Sequence, residues 1–255
     1  MGQAVFELPE IKEKSQYAFE TDFVDSNNNI TSQINKLNFT LAIYADNKPK
    51  IDANLDEWNK QTGMYVNKSD QLVKLDAWSG NWSKDDVSGY SMVMWDEDNL
   101  YIAFDVTDDV FSQTETGKNI WSGDSIQFGV FYGRESYVAM GQANTTYHEI
   151  GFALTDEGPQ TYRWLSQDNY YKAGPVNESE LAVKVDGNHT YYEARIPWKA
   201  LLNPGHEPKK GDKLGFAYLI NDNDGNGRKG FIQFASGIGG TKNASLFNYI
   251  ELLKR

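Results

Sequence analysis

Tyr101-Ile102-Ala103-Phe104-Asp105-Val106 and Tyr191-Tyr192-Glu193-Ala194-Arg195-Ile196 decide how this chain folds. In the first, Ile102, Phe104 and Val106 share one face; in the second, Tyr192, Ala194 and Ile196 do. Apolar residues at period two are what a half-buried antiparallel strand requires. The polar turn Asp96-Glu97-Asp98-Asn99 links the first of these runs to the strand-like stretch before it, which predicts a meander. Further runs of strand composition cover 87–95, 125–132, 148–154, 181–185, 214–220, 231–234 and 247–252. Helix signals are confined to 198–202, where Pro197 can open a single turn.

Composition agrees, with 14% aromatic residues and 22 glycines among 255 residues, a mix suited to strands and tight turns. The expectation is an all-β chain: an antiparallel β-sandwich of jelly-roll or immunoglobulin-like type, about nine or more strands in two sheets. Residues 1–46 differ in texture, with extended aromatic runs at 4–8, 15–23 and 37–44 around the turn Asp25-Ser26-Asn27-Asn28-Asn29. They are either the end of a preceding β domain or strands added to the sandwich, which itself spans 47–255.

With 36 acidic against 24 basic residues, the net charge is −12. Such a field repels phosphate backbones and anionic lipid, so nucleic acid and membrane insertion are not expected. The absence of cysteine removes disulfides, thiol catalysis and thiolate metal sites. Three histidines without paired spacing argue against zinc. No nucleophile elbow, phosphate loop or His-Glu-x-x-His helix occurs, and the many acids cluster in turns where none stands out as a catalytic pair. Met140 and His148 are the residues a haem reading would need, and nothing selects them. Met1-Gly2-Gln3 is not followed by a basic-then-apolar leader, which suits a cytosolic protein or a module cut from a larger one.

Five stretches, in order, carry a resemblance. They are Ile51-Asp52-Ala53-Asn54-Leu55-Asp56-Glu57-Trp58, Met94-Trp95-Asp96-Glu97-Asp98-Asn99-Leu100-Tyr101, Ile120-Trp121-Ser122-Gly123-Asp124-Ser125-Ile126-Gln127, Tyr192-Glu193-Ala194-Arg195-Ile196-Pro197-Trp198 and Gly215-Phe216-Ala217-Tyr218-Leu219-Ile220-Asn221-Asp222-Asn223-Asp224-Gly225. Over roughly residues 48–252 they resemble the family 9 carbohydrate-binding modules and the wider DOMON-like sandwich group. The resemblance implies a non-catalytic polysaccharide binder that targets a parent glycoside hydrolase or other polysaccharide-active enzyme, outside the cell or on a bacterial surface. The alternative is a ligand-free sandwich that packs between domains.

A sugar ring offers apolar C–H faces and a rim of hydroxyls, so it is held by an exposed aromatic platform with planar polar groups at its edge. Trp121, at a loop–strand junction, is the platform expected; by resemblance it is half of an aromatic clamp. The clamp's second tryptophan would lie in Ser236-Gly237-Ile238-Gly239-Gly240-Thr241-Lys242-Asn243, which contains no aromatic. The family's acidic position appears as Gln127, and its basic and amide positions fall at Glu149 and Gly151. Trp78, Trp82, Trp164 and Tyr147 are the further candidates for ligand contact, the tryptophans because they lie in polar loops. Trp58, Trp95 and Trp198, inside or beside strands, are expected in the core. Asp222-Asn223-Asp224-Gly225-Asn226-Gly227 has the oxygen spacing of half a calcium loop, without the closing glutamate. Asp222, Asp224 and Asn226, with Asp109 and Asp124 from the matched segments, are therefore candidate calcium ligands, against a plain hairpin turn.

Overall fold

The computed structural model describes residues 16–25, 27–38, 40–132, 147–202 and 205–253. Met140 and the run 4–8 lie outside the described residues. The strands are β1 (Gln16–Val24), β2 (Ile30–Asn38), β3 (Leu41–Tyr44), β4 (Met64–Val66), β5 (Leu72–Lys74), β6 (Val87–Trp95), β7 (Asn99–Asp108) and β8 (Ser125–Tyr132). They continue with β9 (His148–Thr155), β10 (Gly158–Leu165), β11 (Glu180–Asp186), β12 (His189–Pro197), β13 (Lys213–Asp222), β14 (Gly230–Gln233) and β15 (Asn248–Leu253). Each run read from sequence as a strand between 87 and 252 is one. The expected turn after Pro197 is a short 3₁₀ segment, Trp198–Ala200.

The chain is all-β, and one hydrogen-bonded path joins β10-β9-β8-β13-β15-β3-β6-β7-β12-β11. Where two separate sheets were expected, β15 and β3 connect a β10-β9-β8-β13 block to a β6-β7-β12-β11 block. Two pairings also depart from the antiparallel expectation: β15–β3 and β3–β6 are parallel. β3 comes from the N-terminal segment and enters between strands remote in sequence. Among the described residues, β1 and β2 pair only with each other.

Alternation sends Ile102, Phe104 and Val106 of β7, Phe128 and Val130 of β8, and Phe216, Tyr218 and Ile220 of β13 into one buried cluster. The Phe104 ring meets Phe152 of β9 at 6.4 Å and Tyr218 at 5.3 Å, edge-on, so side chains of both blocks meet in this core. Trp58, Trp95 and Trp198 are buried as expected. The opposite face of β8 and β13 carries a second cluster around Phe131, Tyr147, Leu219 and Phe231. With apolar packing on both sides, β8 and β13 are buried almost throughout.

β10 departs from the expectation that Trp164 lies in a polar loop: Arg163, Trp164 and Leu165 end a strand. Its start at Gly158-Pro159 looks like a turn, but β10 is the edge strand of its block, where proline removes no needed donor.

Candidate functional site

The outer face of β8, β9 and β13 carries a row of buried polar side chains. Asn221 donates to Ser125 Oγ at 2.9 Å and to Gln127 Oε1 at 3.2 Å. Gln127 Nε2 donates to Glu149 Oε1 at 3.1 Å, and the Tyr147 hydroxyl donates to Glu149 Oε2 at 3.1 Å. Lys242 closes the row, with its Nζ 2.6 and 2.8 Å from the two Glu149 oxygens. Glu149 is only 1% exposed. A carboxylate that deep requires pairing, and these three donors supply it.

Above this row opens a cleft of about 280 Å³ lined by Trp121, Gln127, Glu149, Trp164, Arg228 and Lys242, with Leu165 and Gly239. Trp121 stands at its mouth, 41% exposed. Its 3₁₀ segment, Gly117–Ser122, is fixed from below. Ile120 is fully buried, and Gln113 Nε2 donates to the Ile120 and Asp124 carbonyls at 2.9 and 3.0 Å. Trp164 holds the same segment from the side, its indole N–H donating to Lys118 O at 2.8 Å. The β9–β10 register shifts between Arg163 and Leu165, so Trp164 is the bulged residue. Its ring lies over Gly151, where a Cβ would approach Trp164 to 2.4 Å. Gly151 thus stands where the resemblance placed an amide because the indole needs the space.

Trp121, Gln127, Glu149 and Trp164 are thus brought together, and Tyr147 supports them from beneath. Trp78 and Trp82 are not. Trp82 donates its indole N–H to Val87 O at 2.9 Å and packs on the core. Trp78 lies against Gly230 and under the Lys229 ammonium, 5.0 Å from its ring centroid. Both pin the 75–86 loop: their small polar neighbours suggested exposure, but the indoles turn inward.

Two further residues of the cleft, Arg228 and Lys242, were not read from sequence. The 236–243 loop, where the resemblance placed a second clamp tryptophan, contributes Lys242 instead. Arg228, just before β14, lies with its guanidinium carbon 4.5 Å from the Phe231 ring centroid and 5.6 Å from that of Trp121. Only the charge of these residues was visible, because their partners are far away in the chain.

The candidate calcium ligands divide. Asp124 and Asp222 join Asp108, with one carboxylate oxygen of each within 4.8 Å of the others. All three are buried, at 3%, 0% and 5% exposure. Both Asp222 oxygens are buried without a hydrogen-bond donor. Burial pushes the Asp222 carboxyl up to about 8, against the pull of Lys229, and pushes Asp108 up to about 6. Burial raises Asp124 as well, with Asp108 adding to it. Asp108, Asp124 and Asp222 together offer hard oxygen donors of the kind a calcium ion takes, with Lys229 Nζ 3.3 Å from Asp222 Oδ2 as the competing cation. Asp109 and Asp224 belong to a second group with Asp86, already served by Lys229, which lies 2.6 Å from both Asp86 and Asp224. Asn226 is exposed. Asn223, not Asn226, organises the turn, accepting the Gly225 and Gly227 amides at 2.8 and 3.1 Å.

A larger groove of about 780 Å³, lined by Tyr170, Tyr171, Arg195 and His206 among others, lies by the 96–99 turn and contains none of the sequence candidates.

An exposed, braced indole over a row of fixed amide and carboxylate groups, on an all-β frame, defines a non-catalytic carbohydrate-binding module. The chain belongs to the family described as "Carbohydrate family 9 binding domain-like", whose profile matches residues 51–255. It is 23% identical over 209 residues to endo-1,4-beta-xylanase A of Thermotoga neapolitana, covering 81% of this chain and 17% of that protein. It is 25% identical over 193 residues to exoglucanase XynX of Acetivibrio thermocellus, covering 74% of this chain and 14% of that protein. The chain therefore spans less than a fifth of the length of these relatives. Its fold is similar to that of a family 9 carbohydrate-binding module from Caldicellulosiruptor kristjanssonii in complex with cellotriose. That match has a TM-score of 0.62 at 19% identity and covers 84% of this chain and 93% of that one. The same organism's module in complex with glucose gives a TM-score of 0.52 over 84% of this chain and 95% of that one.

Proposed function

We propose that the Trp121 cleft holds a β-linked polysaccharide and so targets a parent polysaccharide-active enzyme to its substrate. The observation that carries this reading is the exposed Trp121 indole set above the Gln127–Glu149–Lys242 row: an apolar platform beside fixed hydrogen-bonding groups. The xylanase and exoglucanase relatives and the cellotriose-bound neighbour make xylan and β-glucan chains the ligands to try first. In place of a clamp of two tryptophans, the cleft is lined by Trp121, Trp164 and the Lys242–Glu149 pair, which suits a groove open along the chain.

The fold is best described as a sandwich whose two blocks are stitched by β15 and β3, with residues 47–255 as the module and 1–46 lending it β3. A structural calcium at Asp108, Asp124 and Asp222 tethers the turns on which Trp121 and Arg228 sit. The protein works outside the cell or on its surface, where such polysaccharides are met. Its acidic charge disfavours nucleic acid and anionic membranes, and among the described residues no helix is long and apolar enough to cross a membrane.

Trp121→Ala is expected to weaken binding of cello- or xylo-oligosaccharides roughly tenfold, the equivalent of about 1.4 kcal/mol. The melting temperature should stay unchanged, because the ring is exposed. Affinity electrophoresis and titration calorimetry test this. Unchanged retention across β-glucans and xylans would reject the cleft as the binding site.

A further inference from the structure

Arg228 is not accounted for by a neutral sugar alone. Its Nε and Nη2 are buried without a hydrogen-bond partner. These two nitrogens form one edge of the guanidinium, the geometry that grips both oxygens of a carboxylate. Among the described residues no carboxylate forms an ion pair with it. Glu149, the acid that lines the same cleft, is already held by Lys242, Gln127 and Tyr147. Two cations against one carboxylate therefore line the cleft, in a chain whose net charge is −12. Burial pulls the Arg228 guanidinium down to about 10, the cost of a cation stripped of water without an anion to replace it. Of the rings beside it, Phe231 is buried, and Trp121 is exposed and lines the cleft with Arg228.

Resting on the carbohydrate-binding reading above, we propose that the cleft selects a sugar bearing a carboxylate, a uronic acid unit on an otherwise neutral chain, with Arg228 receiving the carboxylate while Trp121 stacks on the ring. A polyuronate does not fit, because the overall negative field repels a polyanion, whereas one carboxylate at contact with Arg228 lies well inside the Debye length of about 8 Å at physiological salt.

The test compares a xylo-oligosaccharide ending in glucuronic acid with the same molecule after its carboxyl is reduced to the alcohol, by titration calorimetry on the whole chain. The wild type should bind the acid at least about tenfold more tightly, with a preference that shrinks as salt rises. Arg228→Gln should abolish the preference, binding the acid and the reduced sugar with equal affinity to within about twofold, whatever its absolute affinity for either. Equal affinity for both sugars in the wild type would overturn the inference and leave the carbohydrate reading standing. A preference that survives in Arg228→Gln would overturn the role of Arg228. Failure to bind either sugar would overturn both. The wild-type comparison decides the sugar's charge even if the variant does not fold.

Discussion

Glu193→Ala is expected to lower the melting temperature by on the order of 10 °C, the equivalent of about 3–5 kcal/mol in a domain of this size. Glu193, on β12, is completely buried. Its Oε1 accepts the Trp58 indole N–H at 2.9 Å, and its Oε2 accepts the amides of Asp52 and Ala53, both at 2.9 Å. One side chain thus satisfies three donors of a loop that caps the Tyr101–Ala103 side of the fold. It also stabilises Ala53 in the left-handed region, at φ 61°. Alanine would leave two buried donors, the Trp58 indole and the Ala53 amide, and the part-buried Asp52 amide without their acceptor, each buried one costing about 1–3 kcal/mol before the structure relaxes. Glu193→Gln keeps one acceptor but turns its NH₂ toward donors, so an intermediate loss is expected. Thermal unfolding followed by circular dichroism measures both. A loss below about 1 kcal/mol for alanine would mean that water or the loop itself replaces the carboxylate.

That contact explains why the fold was readable. Two of the stretches quoted for the resemblance, 51–58 and 192–198, are the two halves of the Glu193 contact. Likewise the 96–99 turn and Trp198 meet where the Trp198 indole N–H donates to Asp96 O at 2.8 Å. Strand alternation and such framework residues are written locally, and so the all-β reading and the buried Trp58, Trp95 and Trp198 followed from sequence. β3 was ambiguous because its parallel neighbours, β6 and β15, are dozens to hundreds of residues away. The platform Trp121 was found because it stands just before β8, and Gln127 and Glu149 because they lie on strands already recognised. Arg228 and Lys242 were missed because each sits in a glycine-rich turn and acquires meaning only from a residue remote in sequence, Trp121 for Arg228 and Glu149 for Lys242. Asp222 and Asp224 looked like one ligand set at i and i+2. The regular strand ends at Asp222, so Asp222 faces the core trio while the turn swings Asp224 to Lys229.

Asp222→Asn should change stability in opposite directions with and without calcium. In chelator, Asp108, Asp124 and Asp222 crowd three buried carboxylates together. The nearest cation to Asp222, Lys229 at 3.3 Å from Oδ2, is shared with Asp86 and Asp224. Removing the charge from the one carboxylate without a hydrogen bond relieves that cost, so the variant should gain about 1–3 kcal/mol over wild type in chelator. The sign with pH follows from burial. A folded carboxyl raised from 3.8 to about 8 must take up a proton on folding, so its penalty grows between those pH values. The gain in chelator should therefore be larger at pH 8 than at pH 5. With calcium, wild type should gain about 4 kcal/mol at a thousandfold excess over the dissociation constant, and the variant, lacking a ligand, much less. Equal stabilisation of both by calcium would place the ion elsewhere, and a loss of stability on Asp222→Asn in chelator would show the trio already satisfied. The ion's influence should reach the cleft as well. Asp124 accepts the Asn223 amide at 2.8 Å, and Asn223 Nδ2 donates to Ser122 O at 2.9 Å, beside Trp121. Chelation is therefore expected to weaken oligosaccharide binding in the wild type by loosening the turn that holds the indole in place.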